Sequence, residues 1–178
     1  VASKKIEEAI VLMESATEIR KEKCGASHKA TVQAMQGLLQ LLNVAGEREK
    51  AFTVAEELVD ATVSAFGERS RPTVEAMADL ARAHSLKGEH EQAIALGEKV
   101  RTLTIQEVGT DHSANAAASE TLAGLLARGG RFEEAAVAME EAARVRRLAN
   151  GEMHPQTGKT ITELAMLYEK LGKKEKSV

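Results

Sequence analysis

Eight of the thirteen glycines in this chain fall on two columns of a 42-residue grid: Gly25, Gly67, Gly109 and Gly151 on one, Gly46, Gly88, Gly130 and Gly172 on the other. At a background near 7% glycine, one complete column anywhere on such a grid has odds on the order of one in a thousand. Two columns make the chain an array of one repeated unit. A unit this short cannot bury an apolar face alone; it buries it by stacking on its neighbours, so the core runs along the array instead of filling a sphere. Cutting at the first column gives units 25–66, 67–108, 109–150 and 151–178 with no insertion or deletion. Residues 1–24 align as the second half of a preceding unit, since KIEEAIVLMESATEIRKEKC lies over RFEEAAVAMEEAARVRRLAN of 131–150. Residues 1–178 are therefore expected to form one array, with partial repeats at 1–24 and 151–178. A start at Val1 without Met and a stop inside a unit suggest a fragment of a longer protein.

Each unit spells two helices. The first runs from about the fifth to the twentieth position and carries three apolar columns: Met35, Met77, Ser119, Ile161; then Leu38, Leu80, Leu122, Leu164; then Leu42, His84, Leu126, Tyr168. These positions are i, i+3 and i+7, one face of a 3.6-residue period. The second glycine column ends this helix, in the left-handed conformation that glycine adopts without penalty. The next helix opens with charge (GEREKAF, GEHEQAI, GRFEEAA), and acidic residues there suit the positive helix end. It buries the column Ala9, Ala51, Ala93 and Ala135, small enough to let the two helices of a hairpin approach closely. The chain is thus predicted to be all-α, a solenoid of about eight helices stacked as antiparallel hairpins.

These columns resemble the tetratricopeptide repeat, in the long variant of kinesin light chains. GEMHPQTGKTITELAMLYEKLG of the fourth unit is similar to the first half of that pattern, and RFEEAAVAMEEA to the second. The resemblance covers essentially the whole chain and implies a right-handed superhelix. There are departures: Ser70 stands where His28, His112 and His154 keep the histidine, and Pro155 alone is in the expected place, Pro72 lying one residue late. Gly37, Asp79, Thr121 and Glu163 occupy the column where the family often carries an asparagine that grips a peptide backbone. The period also lies within the range of HEAT and armadillo units; the leucine–alanine pair, the mid-unit glycine and the single alanine column favour the tetratricopeptide reading.

Composition and motifs narrow the function. The 24 basic and 27 acidic side chains alternate, giving net charge −3 and no basic stripe, so nucleic-acid binding has little electrostatic support. The KLGKKEK end is positive but short. No apolar run reaches the roughly 18 residues of a membrane span. Cys24 is the one cysteine, which excludes an intramolecular disulfide framework and fits a reducing, cytoplasmic setting. Three phenylalanines, one tyrosine and no tryptophan leave little for base stacking or aromatic cages. The histidine column His28, His112 and His154 is spaced by whole repeats, about 10 Å between helix layers, too far for shared metal coordination. Its place before the first helix suits capping of unsatisfied helix-start groups. His84 reads as a packed core residue and His90 as a solvated one. Cys24 has no base and orienting group beside it, His28 lying across a helix break, and ARGGRFEE lacks the phosphate-loop pattern and its preceding strand. No catalytic residue, metal ligand or cofactor site is predicted, and the chain is expected not to be an enzyme.

The remaining candidate is the surface a solenoid creates, where the first helices of stacked hairpins line a concave side. Helical geometry places Gln33, Gln36, Gln40 and Asn43 there from the first full unit, and Glu75, Asp79, Arg82 and Ser85 from the second. The third contributes Glu120, Thr121 and Arg128, the fourth Lys159, Thr162, Glu163, Glu169 and Lys170. This lining is polar, rich in amides at one end and mixed in charge along its length. The expected function is a non-catalytic scaffold docking a peptide or helix of a protein partner, without nucleic acid or membrane. Two alternatives stand beside it: an architectural segment that self-associates through uncapped ends, as the kinesin light chain resemblance suggests by analogy, or the sensor arm of a larger signalling enzyme.

Overall fold

The computed structural model describes residues 2–172, and the basic run 173–176 lies outside them. The described residues form eight α-helices: α1 (Ala2–Cys24), α2 (Lys29–Ala45), α3 (Arg48–Phe66), α4 (Arg71–Lys87), α5 (His90–Val108), α6 (Ser113–Arg128), α7 (Phe132–Asn150) and α8 (Pro155–Lys170). The chain divides into two compact bodies, one up to Leu86 and one from Lys87 onward.

Every glycine of the two columns has positive φ, between 68° and 89°, and no other described residue does. The columns nevertheless do different work. At Gly46, φ 77° and ψ 15° place the residue in the left-handed helical region, and the following Glu47 N–H reaches back to Leu42 O at 3.0 Å. That is the Schellman ending, repeated after α6, where the Arg131 N–H donates to Leu126 O at 2.9 Å beside Gly130. At Gly67, φ 86° and ψ 160° lie in a region that is essentially glycine's alone. This geometry turns the glycine carbonyl toward the next helix, where a buried threonine hydroxyl takes it: Thr31 donates to Gly25 O at 2.8 Å, Thr73 to Gly67 O at 2.8 Å and Thr157 to Gly151 O at 2.9 Å. The third unit carries Asn115 instead, whose Nδ2 donates to Thr110 O at 2.6 Å while its Oδ1 stays buried without a partner among the described residues.

The histidine column caps helices, as its position implied. The N–H of Ala30, Ala114 and Gln156 donates to Nδ1 of His28, His112 and His154 at 3.2, 3.1 and 3.2 Å. Ser70 stands in the same column but turns its hydroxyl to that of Thr73, 2.9 Å away. Replacing His112 by alanine should therefore remove about 1 kcal/mol of stability while aspartate or asparagine retains it; urea unfolding followed by circular dichroism would read the difference as a shift in midpoint.

In the first body α2 packs between α1 and α3, with Met35, Leu38, Leu39 and Leu42 at most 5% exposed. The Phe52 ring of α3 meets His84 of α4 edge-on at 5.0 Å, so His84 is a packed residue. In the second body α6 packs on α5 and α7, and α7 on α8, around Leu122, Leu125, Leu126, Met139 and Val145. The alanine column is buried at Ala51, Ala93 and Ala135 and half-buried at Ala9. His90 departs from expectation: it is half-buried, with Nδ1 shut off from solvent and unpartnered among the described residues, because α5 begins against the α6–α7 turn, where Gly129 approaches its Cβ.

Small and large residues interlock differently in the two bodies. Gly37 on α2 leaves room for Met13 of α1, whose Cε would sit 3.3 Å from a Cβ there. In the second body the glycine is on the other helix: Gly97 of α5 admits Leu125 of α6, which would stand 2.8 Å from an added Cβ.

Candidate partner-binding surface

The expected lining residues differ in how free they are. On α2, Gln33, Gln40 and Asn43 are exposed and Gln36 is half-buried, and their side-chain amides hold no hydrogen bond within the described residues. On α4 the charges are already paired: Glu75 accepts from Arg71 Nε at 2.8 Å, and Asp79 is ion-paired to Arg82. Ser85 is 5% exposed, with its hydroxyl buried and unpartnered among the described residues, so this position belongs to the interior and not to the lining. The helical wheel places Ser85 at the edge of the polar arc, one step from the buried His84 column, and packing decides such edge positions.

The second body carries a different mix. Arg128 is exposed at the end of α6. Lys159 lies 3.7 Å from Glu163 on α8, and the hydroxyls of Thr121 and Thr162 donate within their own helices to Ala117 O and Gly158 O at 2.9 Å. Glu169 is exposed, and Lys170 stands over the Phe132 ring, 5.2 Å from its centroid. Glu120 is the most constrained member. It receives Arg146 Nε and Nη2, each at 3.0 Å, and the Thr160 hydroxyl lies 2.6 Å from its Oε1. Arg146 Nη1 also donates to Gln156 Oε1 at 3.2 Å. Three helices, α6, α7 and α8, thus meet on one fork-shaped ion pair. Burial pushes the Glu120 carboxyl up, but the hydrogen bonds from Arg146 and Thr160 outweigh it and hold the group below the usual carboxylate range. At the other end of α8, burial together with a hydrogen bond to Glu140 pushes the Tyr168 hydroxyl up to about 12.

Arg146 is the residue that reading by helical face missed. Its column holds Thr62 and Thr104, both buried and bonded to the carbonyl four residues back, and Arg20, which is exposed. Because arginine also fills the exposed end of that column, the sequence carries no separate signal for a buried ion pair at Arg146. Cys24 is exposed, and no group of three or more His, Cys, Asp or Glu side chains with metal-binding geometry occurs among the described residues. No helix among them is long and apolar enough to cross a membrane.

Residues 73–147 match the sequence model of the tetratricopeptide repeat. Over those residues the repeat is a tetratricopeptide repeat. Solved structures agree in fold along nearly the full length of the chain. A kinesin light chain candidate of Podosopora anserina with nearly identical TPR-like repeats superposes with a TM-score of 0.84 at 20% identity, over 97% of this chain and 82% of that one. BtubC (BKLC) from P. vanneervenii gives 0.75 at 18% identity, over 97% and 69%. A Rap protein complexed with Competence and Sporulation Factor gives 0.74 at 17% identity, over 98% of this chain and 46% of that one. At these identities the likeness is one of fold, the TPR-like α-solenoid. No curated protein matches the chain in sequence.

Proposed function

We infer that this TPR array is a non-catalytic docking scaffold of the cytoplasm, and that the amide row of α2 receives the backbone of a partner segment. One observation carries the reading: Gln33, Gln36, Gln40 and Asn43 lie along one helix face at intervals of three or four residues, and none spends its amide on another described residue. An amide offers a donor and an acceptor together, which suits a peptide unit. The charges of α4, paired to one another, would set selectivity more than affinity. The Rap protein that shares this fold was solved with a bound factor, which supports the reading by analogy of fold.

The test is affinity capture with a photo-crosslinker at Gln33, with and without Gln36→Ala, Gln40→Ala and Asn43→Ala together. Each amide bond is worth about 0.5–1.5 kcal/mol, so the triple variant should lose ten-fold or more of its capture. Undiminished capture would remove α2 from the binding surface. Crosslinks only to other copies of the chain would favour the architectural reading instead. That reading has its own support in α1, where Val11, Leu12 and Ile19 are 60%, 72% and 52% exposed although the column of Ile19 is buried at Ala61 and Val145.

A further inference from the structure

Between α1 and α3 runs a cleft of about 380 Å³, floored by Met35, Leu38 and Leu42 of the intervening α2 and walled on one side by Val54. It opens on α1 and α3, away from the amide row of α2. Two lysines cross its mouth. Lys21 of α1 holds Glu18 at 3.0 Å on its own wall and Glu57 at 2.7 Å on the opposite one, and Lys50 of α3 reaches Glu14 of α1 at 3.0 Å. Beyond Lys21 and Glu57 a second chamber continues past Asp60, so the cleft carries four carboxylates against two ammonium groups.

The second body shows the same place with a different lining. Two repeats further on, Thr17 corresponds to Arg101, and the pocket between α5 and α7 is lined by Arg101, Val137, Ala138, Glu140, Glu141 and Arg144, with no α6 floor. That pocket, of about 410 Å³, has an arginine in its wall and no apolar floor, whereas the first has the small Thr17 there and the apolar side chains of α2 beneath.

We propose that the α1–α3 cleft is a second docking site, for a basic peptide segment that seats one apolar side chain on the α2 floor and an adjacent Lys or Arg between Glu18 and Glu57. The ammonium of Lys21 marks where that cation goes, because it already sits between the two carboxylates on a flexible tether. It serves as a built-in competitor that the partner's cation displaces. A volume near the lower end of ligand pockets suits a single side chain better than a packed helix. The excess of carboxylates selects a cationic segment and rejects an acidic one.

Fluorescence anisotropy on the full chain tests this with three labelled nine-residue peptides: a central leucine flanked by arginine and lysine, the same with alanine for leucine, and the same with glutamate for the basic residues. The first should bind at least ten-fold tighter than either of the others. Lys21→Ala should tighten its binding about three-fold, since the competitor is gone. Thr17→Arg, which puts the arginine of the second body's pocket and its positive charge into this one, should abolish binding; because Thr17 is buried, Thr53→Lys on the exposed rim provides a second block that leaves the packing alone. Equal binding of the basic and acidic peptides, weaker binding after Lys21→Ala, or indifference to Thr53→Lys would each overturn the proposal. Replacing Gln40 and Asn43 by alanine should leave the basic peptide unaffected, which separates this site from the α2 surface.

Discussion

Replacing Glu120 by alanine is expected to destabilise the protein by about 3 kcal/mol and to lower its melting temperature by about 6–10 °C. The loss comes mainly from what is left behind. Arg146 is 8% exposed, and without Glu120 its guanidinium keeps one hydrogen bond, to Gln156, in a place that water barely reaches. The figure sits at the low end for a broken buried pair because a quarter of the Glu120 side chain still meets solvent. Removing both charges should hurt far less: Glu120→Met with Arg146→Leu is expected within about 1 kcal/mol of the parent, since a buried pair can be replaced by packed apolar groups almost without loss. Glu120 also gives the pair a pH signature. Its carboxyl is held below the usual range in the folded state, so its contribution is complete above the unfolded value near 4.5 and disappears as pH falls through the lower folded value. Urea titrations at pH 7 and pH 3.5 would show the parent losing more stability than the double variant over that interval. A Glu120→Ala loss under about 1 kcal/mol would mean that the pair is not holding α6, α7 and α8 together.

The second large effect separates two glycines that look alike in sequence. Gly67→Asn should lose about 2 kcal/mol, whereas Gly46→Asn should lose a few tenths. Space plays no part in the contrast, because a Cβ at either position would meet nothing within 4 Å. The difference is backbone alone. Gly46 has the left-handed helical φ and ψ that asparagine tolerates, while Gly67 has ψ 160° at positive φ, where every side chain is strained. Thermal or urea unfolding of the two variants reads this directly. Equal losses would show that the Thr73 clasp on the Gly67 carbonyl does not require the observed backbone.

The glycines and apolar columns make the helices legible in the sequence itself. The expected first helices of the third and fourth units end at the residues observed for α6 and α8, because a glycine or its neighbour marks each boundary. The histidine caps are legible for a similar reason: a helix start leaves donors that need an acceptor. The fate of the individual polar residues is not. A wheel gives a direction for Glu120 and Ser85, but whether each meets water depends on how α6 and α8, or α4 and its neighbours, cross. Those angles are set by side chains 26 to 40 residues away, such as Arg146 and Thr160 for Glu120. The α1–α3 cleft is hidden for a related reason, since its lining joins residues of α1, α2 and α3 that lie far apart in the sequence.

Repeat units of equal length look interchangeable, like beads of one mould. The placement of Met13 against Gly37 in one body, and of Leu125 against Gly97 in the other, says otherwise. Joining α1 to a copy of α6 would drive Met13 toward Thr121, which stands there in the column of Gly37. Neighbouring helices are keyed like lock wards, so the order of the units is written into side chains that the shared 42-residue period does not reveal.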